Sequence, residues 1–368
     1  MAVLTNNPPF TNQADQRRSL NGWKILGNIS TEAGNDFIEG RQRLSSNSSG
    51  IGIEIFGSVL DTEFGNDTVK GIARSKNGVA IGIDIFGKTL IDGNEIGDSA
   101  IDSGADNDKV IGRGNSRTRT AFGIEINGGK IDSGLANDRI TGNGKSRSGD
   151  AYGIALNGIN GETKIDTGLG NDSVVGKAAS RSGNAFGLEV NGINAETKID
   201  TGLGNDSVIG NGNSTSGNAF GINNLRNSTI DTGDGDDTVT GVASSATGEA
   251  VGIFNNGVID GGAGDDVFDA LTGGWGGNGR ADLGSGNDTV RGFGSGTFDG
   301  GVGFDTLVFN AGTYNIARVG SQLDRFEITL SSLQNSPVMT VTEFEFFGEG
   351  DQQTSFAAAA SAGEIVFV

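Results

Sequence analysis

Apolar and polar residues alternate along most of the chain, in short runs separated by glycine, serine and asparagine. In Ala121–Asn127 the alternation places Phe122, Ile124 and Ile126 on one face of an extended strand and the residues between them on the other. The runs are rich in poor helix formers, and their apolar residues do not recur at spacings of three and four. The pattern therefore predicts β-strands, with Phe122, Ile124 and Ile126 facing a core.

A longer repeat is superimposed on the strands. The sequence KIDTGLGNDSVVG at 164–176 returns as KIDTGLGNDSVIG at 198–210, and related copies occur along most of the chain. The intervals between successive copies are 31, 41, 30, 34, 34, 31, 29, 22 and 17 residues. Such a period is typical of a solenoid, here with about ten coils of about 30 residues that shorten to about 17–22 near the C-terminal end. The last Asp of each copy falls at Asp36, Asp67, Asp108, Asp138, Asp172, Asp206, Asp237, Asp266, Asp288 and Asp305.

Each middle unit contains three short strand patterns: one after the Asp, one after a segment such as SRSGN, and a short one before the next TGLGND. A single unit cannot bury its apolar face, but stacked units share one core. Stacking places Val174 under Val208, and Phe186 between Tyr152 and Phe220. We therefore expect an all-β fold, a β-solenoid of the parallel β-helix or β-roll type that is capped at both ends.

The repeat divides the chain into three parts. Residues 1–27 lack the repeat and are predicted to form an N-terminal cap or arm. Residues 28–309 carry the repeats, and residues 310–368 leave the pattern and are predicted to form a C-terminal β cap. The arm is suited either to cover its own first coil or to add to the edge of the next molecule by β-augmentation. The second alternative gives head-to-tail self-association.

The amino-acid composition limits which catalytic groups, metals and partners the chain can use. The chain has no Cys and no His, which excludes disulfides, thiolate nucleophiles, zinc sites and histidine bases. Its net charge of −20 disfavours nucleic acid and anionic membranes, and no apolar run is long enough for a transmembrane helix. Any metal must therefore be a hard cation, bound by carboxylate and carbonyl oxygens.

The corner sequence DTGLGND suits such a cation. Glycines at alternate positions allow a tight turn whose carbonyls point to one place, and a carboxylate follows. Stacked corners can supply the six or more oxygen ligands that calcium takes, whereas magnesium requires a stricter octahedron. We expect the ten corner Asp residues to act as ligands together with the following glycines: Gly168, Gly170, Gly202, Gly204, Gly233, Gly235, Gly262, Gly264, Gly284, Gly286, Gly301 and Gly303.

These corners resemble the calcium-binding nonapeptide G-G-x-G-x-D-x-(apolar)-x of the RTX, or hemolysin-type, repeat proteins. GGAGDDVFD at 261–269 and GGVGFDTLV at 300–308 match fully, whereas TGLGNDSVV at 167–175 has Thr at the first position. SGADNDKVI at 103–111 and SGLANDRIT at 133–141 also lack the third Gly. The chain departs from the RTX β-roll because each long coil carries one motif, at one corner.

A second row of acids precedes most corner Asp residues by six positions. These residues would repel one another at the spacing of the coils unless they were neutralised. They are either further metal ligands or solvated turn residues. The row consists of Asp61, Asp102, Asp132, Asp166, Asp200, Asp231, Asp260, Asp282 and Asp299.

The C-terminal sequence SFAAAASAGEIVFV at 355–368 resembles an uncleaved type I secretion signal, with small residues, an acid and a terminal apolar run. The N-terminus lacks the pattern of a cleavable signal peptide. The resemblance implies export to the cell surface or the extracellular space, with folding driven by external calcium.

The leading functional hypothesis is a secreted, calcium-stabilised structural protein of a cell surface, matrix or filament, and not an enzyme. An adhesin or glycan-binding surface is the alternative, because basic residues cluster at the corner without Asp: Arg74, Lys76, Arg117, Arg119, Lys145, Arg147 and Arg181. This basic stripe is either a solubilising surface that balances the acidic edge, or a surface that meets an anionic glycan or, by lateral self-association, the acidic edge of a neighbouring rod. A polysaccharide-active enzyme is less favoured, since periodicity alone explains the paired carboxylates. Ice binding is also less favoured, because the outward corner positions carry no regular Thr.

Overall fold

The computed structural model describes residues 1–5, 9–11, 13–45, 47–87, 90–91, 94–95, 99–159, 161–320, 324–348 and 353–367. Three long sheets run side by side along the molecule, and each coil contributes one strand to each sheet, except near the C-terminal end, where one of the sheets ends at Trp275–Gly276. The fold is therefore the expected all-β solenoid. Within the repeats neighbouring coils pair in parallel, and corresponding residues lie opposite one another, as Val174 does with Val208.

Sheet 1 follows the corner Asp and contains the longest strands, which shorten from eight residues to three after residue 245. The shortening matches the expected contraction of the coils toward the C-terminal end. In spatial order, its strands are Gln16–Ser19, Phe37–Leu44, Thr68–Ser75, Lys109–Ser116, Arg139–Ser146, Ser173–Ser180, Ser207–Ser214, Thr238–Ser245, Val267–Asp269, Thr289–Arg291, Thr306–Val308, Phe346–Phe347 and Thr354–Ser355.

Within a coil, the strand of sheet 2 follows the Ser/Gly corner, and the strand of sheet 3 precedes the Asp corner. The strands of sheet 2 are Ala2–Leu4, Trp23–Ile25, Gly50–Phe56, Ala80–Phe86, Ala121–Asn127, Ala151–Asn157, Ala185–Asn191, Ala219–Asn224, Ala250–Asn255 and Trp275–Gly276. The strands of sheet 3 are Ile29–Ser30, Val59–Asp61, Ala100–Asp102, Lys130–Asp132, Thr163–Asp166, Thr197–Asp200, Ser228–Asp231, Val258–Asp260, Arg280–Asp282, Gly296–Asp299, Met339–Thr342, Arg325–Leu330, Gly312–Arg318 and Glu364–Phe367. Two small pairs complete the strands, Leu90–Ile91 with Asn94–Glu95 and Ser285–Gly286 with Val302–Gly303.

The core is a narrow column of Ile, Val and Leu side chains from all three sheets. Val174 of sheet 1, Leu188 of sheet 2 and Ile199 of sheet 3 are all fully buried within it. The same positions in the coils above and below carry the same kind of residue, so that each side chain packs on its own counterparts. Burial of these columns supplies the main apolar stabilisation of the fold.

The expected position of the aromatic residues in sheet 2 is wrong. Phe122 and Phe186 are only half-buried and lie outside the core, where they stack with Tyr152 and Phe220 at ring-centroid distances of 4.8–5.2 Å. Their register along the stack is as expected, but they lie on the opposite face of the sheet from Leu188.

A glycine shifts the alternation in each of these strands. Gly187 faces sheet 1 so closely that a Cβ atom there would lie 2.1 Å from the backbone N of Asn211. The two sheets thus meet backbone to backbone at this point, and Leu188 follows directly as the next inward residue. Inward and outward residues therefore alternate before Gly187 and again after it, but Gly187 and Leu188 both face inward.

The Ser/Gly corner between sheets 1 and 2 is closed by a buried hydroxyl. Ser180 Oγ accepts a hydrogen bond from the backbone N of Gly183 at 3.0 Å and donates to the carbonyl of Gly149 in the preceding coil at 2.8 Å. Ser214 and Ser245 repeat both hydrogen bonds in the next coils. The recurring Ser at the start of SRSGN is therefore a structural residue.

Both end segments join the solenoid sheets. At the N-terminal end Gln16–Ser19 pairs in parallel with Phe37–Leu44, Trp23–Ile25 pairs with Gly50–Phe56, and Ala2–Leu4 pairs in turn with Trp23–Ile25. The described part of segment 1–27 therefore covers the first coil of its own chain.

At the C-terminal end the antiparallel strands Gly312–Arg318, Arg325–Leu330 and Met339–Thr342 extend sheet 3. The segment proposed as a secretion signal forms the helix Phe356–Ala362 and the strand Glu364–Phe367, while Val368 lies outside the described residues. That helix spans 7 residues, and no helix in the described part of the chain is long and apolar enough to cross a bilayer.

Candidate metal-binding corner

The turn between sheets 3 and 1 brings the ten predicted Asp ligands into one column. Each of these carboxylates is buried, with at most 3 % of the residue exposed. Because the coils stack in register, each Asp lies directly above its counterpart in the next coil. The column contains Asp36, Asp67, Asp108, Asp138, Asp172, Asp206, Asp237, Asp266, Asp288 and Asp305.

Hydrogen bonds link the Asp residues of successive coils. The backbone N of Asp172 donates to Oδ1 of Asp206 at 2.7 Å, and Asp206 donates in the same way to Asp237. The series begins where Asp15 donates to Asp36 and ends where Asp305 donates to Glu345 Oε2. Oδ1 of every corner Asp is therefore engaged by the coil before it.

The second oxygen, Oδ2, has no hydrogen-bond partner in any of the ten residues. The hydroxyl of Thr201 lies beside the Asp206 carboxylate and lowers its pKa in part, but it donates to the carbonyl of Thr232 at 3.0 Å. A buried carboxylate oxygen without a donor destabilises the charged form of the group. The column thus carries one acceptor without a partner at each corner, and at Asp108 and Asp138 the hydroxyls of Ser103 and Ser133, which have no other partner, lie beside the carboxylate and lower its pKa in part.

Burial raises the pKa of every carboxyl group in the column. The pKa reaches about 8 for Asp108 and Asp266, because desolvation outweighs the hydrogen bond to the backbone. It is raised to about 7 for Asp206, and neighbouring carboxylates add to the increase. Near neutral pH these groups are therefore close to their titration point, and a cation or a proton would stabilise them.

The predicted glycines form the turns as expected. Gly168, Gly202, Gly233, Gly262, Gly284 and Gly301 have φ between +81° and +105°. Gly170, Gly204, Gly235, Gly264, Gly286 and Gly303 have φ between +128° and +159°. Both ranges are open mainly to glycine. In the two corners that lack the third Gly, Asp106 and Ala136 are held at +76° and +77° instead.

The carbonyls of these turns already take part in the stacking. Gly168 O accepts from the backbone N of Leu203 at 3.0 Å, and Leu203 O accepts from Gly170 at 2.8 Å. A carbonyl oxygen has two lone pairs, so it can still coordinate a cation. Within the described residues no group of three or more acidic side chains converges as a metal site. A bound ion would therefore need carboxylates and backbone carbonyls together, the donor set that suits calcium.

An asparagine column, which the sequence analysis did not identify, lies beside the Asp column and runs in the opposite direction. The backbone N of Asn205 donates to Oδ1 of Asn171 in the preceding coil at 2.8 Å, and Asp236 donates to Asn205 at 3.0 Å. The signal was the Asn that precedes the corner Asp in most repeats. The two opposed columns hold each corner to the coil before and the coil after.

The second acid row lies on sheet 3 and is partly neutralised by basic residues. Lys164 Nζ lies 2.6 Å from Asp166 and 3.0 Å from Asp200, and Lys198 bridges Asp200 and Asp231 in the same way. Burial opposes ionisation of Asp200, but the two lysines outweigh it and lower its pKa. Lys130 and Arg280 pair with other acids of the row.

The row as a whole is in register from Asp61 to Asp299. Several acids of this row are already neutralised by Lys or Arg. The Asp corner is therefore the stronger candidate for metal binding. No protein-family model matches the chain, and no curated protein matches it.

Proposed function

We propose that this chain is a secreted calcium-binding structural protein of a cell surface, an extracellular matrix or a filament. The observation that carries the proposal is the column of ten buried corner carboxylates, each with one oxygen that lacks a hydrogen-bond partner. The residue types fit a hard cation, and the corner sequences resemble RTX calcium repeats. Calcium would be held by these carboxylates and by carbonyls of the corner glycines.

Calcium would supply positive charge where burial disfavours the carboxylate anions. Ions that bind the folded corners and not the unfolded chain stabilise the fold by mass action. Scarce calcium inside the cell would favour the unfolded chain that is exported, and abundant calcium outside the cell would favour the folded chain. The proposed C-terminal secretion signal fits this order of events.

Titration calorimetry and circular dichroism test the proposal. We expect several calcium ions to bind per chain, β-structure and melting temperature to rise with calcium, and magnesium to be a weaker substitute. A chelated protein that keeps the same spectrum and melting temperature, and gives no heat with calcium, would overturn it.

Asp206→Asn tests the corner itself. The amide oxygen can still accept the hydrogen bond from Asp172, as the neighbouring Asn column shows, but the charge is lost. We expect fewer bound calcium ions and an unchanged fold. Asp234→Asn is the matched control, because Asp234 is an exposed residue of a neighbouring corner. Equal calcium binding by the two variants would show that the column does not bind the ion.

A further inference from the structure

Three successive strands of sheet 1 carry positive charge and no acid, in a chain whose net charge is −20. These strands are Thr68–Ser75, Lys109–Ser116 and Arg139–Ser146, and each contributes two basic residues. We call their outer surface the basic face. The segregation is local, because Ser207–Ser214, only two strands further along sheet 1, has no charged residue at all.

The central basic side chains of this face are arranged diagonally. Arg113 lies between Ile72 and Asn143 of the neighbouring strands. Two residues further along the same strand, Asn115 lies between Arg74 and Lys145. Arg74, Arg113 and Lys145 are exposed and line one surface depression together with the two asparagines. Each of the three is thus next to a neutral amide, Arg113 is diagonal to Arg74 and Lys145, and Arg74 also lies directly beside Arg43.

None of these three basic residues has an ion-pair partner among the described residues. A second depression adjoins the first, shares Arg74 and Asn115 with it, and adds Arg43, Lys76 and Arg117. The two depressions together span four successive coils, which is about 15 Å at the usual strand spacing. Unpaired charge over this length exceeds what one small anion can neutralise.

We infer that the basic face binds a linear acidic polysaccharide. Guanidinium groups bind carboxylates through paired hydrogen bonds, and Asn115 and Asn143 can donate to and accept from sugar hydroxyls. Successive coils each place at least one basic side chain on this face at the regular spacing of the strands, which suits a polymer with repeated charges. The inference rests on the folded sheet, and calcium at the Asp corner matters to it only as far as calcium stabilises the fold.

Two other polyanions fit the face less well. Single-stranded nucleic acid binds through aromatic stacking as well as charge, and the three strands contain no aromatic residue. A second copy of the chain could offer its exposed acids, but in the later corners these are few, such as Asp234, Asp236 and Asp265. Most other acids there are buried in the Asp column or half-buried on sheet 3.

Binding of short polygalacturonate chains to the folded protein tests the inference. The triple substitution Arg74→Gln, Arg113→Gln and Lys145→Gln should weaken binding by about ten-fold or more, and added salt should weaken binding by the unmodified protein. The control triple Arg18→Gln, Arg226→Gln and Arg318→Gln removes the same charge from exposed positions outside the basic face and should change binding by less than about two-fold.

Circular dichroism at the calcium level of the assay shows whether each variant is folded, so that failure of the calcium proposal is seen separately. Equal binding by both triple variants would overturn the inference, because it indicates general charge attraction or bridging by calcium. Equally tight binding of a neutral dextran, or of single-stranded DNA, would also overturn it. So would sedimentation showing that the face joins two copies of the chain while polygalacturonate does not bind.

Discussion

At the scale of single residues, Ala136 occupies a backbone conformation that favours glycine. Its φ is +77°, at the position where most other corners have Gly. Ala136→Gly should stabilise the protein by about 1 kcal/mol, because a left-handed conformation strains a residue with a Cβ atom. Gly170→Ala should destabilise it by more than about 1 kcal/mol, since the new Cβ would lie 2.0 Å from the Ala136 carbonyl oxygen.

Urea unfolding of both variants at fixed calcium measures these changes. The two substitutions exchange the same residue types at neighbouring corners, so each is the control for the other. Two changes of the same sign would show that the corner backbone differs from the structure described.

The core of sheet 2 allows a second prediction at this scale. Leu188 is fully buried, and Leu188→Ala should lower the free energy of unfolding by about 2–5 kcal/mol. Phe186→Ala should lower it by only about 1–2 kcal/mol, because Phe186 is half-buried and loses mainly its stacking on Tyr152 and Phe220. Denaturant unfolding compares the two variants. A larger loss for Phe186 would restore the original interpretation, in which the aromatic column faces the core.

At the scale of the element, the sequence predicts registers better than faces. The spacing of the corner motifs correctly placed Val174 on Val208, because every coil repeats the same residues. The inward face of sheet 2 could not be derived from a period of two. The shift at Gly187 arises from backbone contact with sheet 1, which is a tertiary feature.

In the candidate site, too, some features follow from the sequence alone and others depend on tertiary contacts. The Asp positions and the turn glycines could be identified from the repeat, since both are set by local sequence. The hydrogen bonds between Asp residues of adjacent coils could not be identified, because they depend on which way each carboxyl group turns. Only the structure shows that Oδ1 of Asp206 accepts a hydrogen bond whereas Oδ2 has no partner.

The Asp column makes stability depend on pH in a direction that can be measured. Burial raises the pKa of these carboxyl groups from the ordinary 3.8 to about 6 for Asp237 and about 8 for Asp266. Between the ordinary pKa of 3.8 and these raised values, the folded chain binds more protons than the unfolded chain. The free energy of unfolding of the calcium-free protein should therefore fall as pH rises from 5 to 8. Saturating calcium should reduce the loss, because the cation replaces the protons.

Melting curves at several pH values, with chelator or with calcium, test this dependence. Asp200 is an internal control: because its pKa is lowered, its contribution to the free energy of unfolding changes only in more acidic solution. Stability that increases from pH 5 to 8 in chelator would contradict a column of buried, proton-binding carboxyl groups.

At the scale of the whole molecule, charge is distributed unevenly along the chain. Residues 1–200 contain 21 basic and 25 acidic residues, for a net charge of −4, and residues 201–368 contain 5 and 21, for a net charge of −16. The basic face lies in the first of these segments. An acidic polymer would therefore be attracted to one part of the solenoid and repelled by the other, so that its position on the molecule is fixed by charge as well as by contact.

The strand edges at the N-terminal end of the sheets are covered by the chain's own first residues. Gln16–Ser19 pairs with Phe37–Leu44 of the same chain, which covers part of an eight-residue strand edge, and Ala2–Leu4 covers Trp23–Ile25. Deletion of residues 1–20 should expose both edges, and exposed edges pair with other chains. We therefore expect the truncated protein to form larger species than the full-length chain at equal concentration and calcium, as measured by sedimentation velocity. The opposite result, in which the full-length chain forms calcium-dependent filaments and the truncated chain remains monomeric, would instead show that the arm joins one molecule to the next.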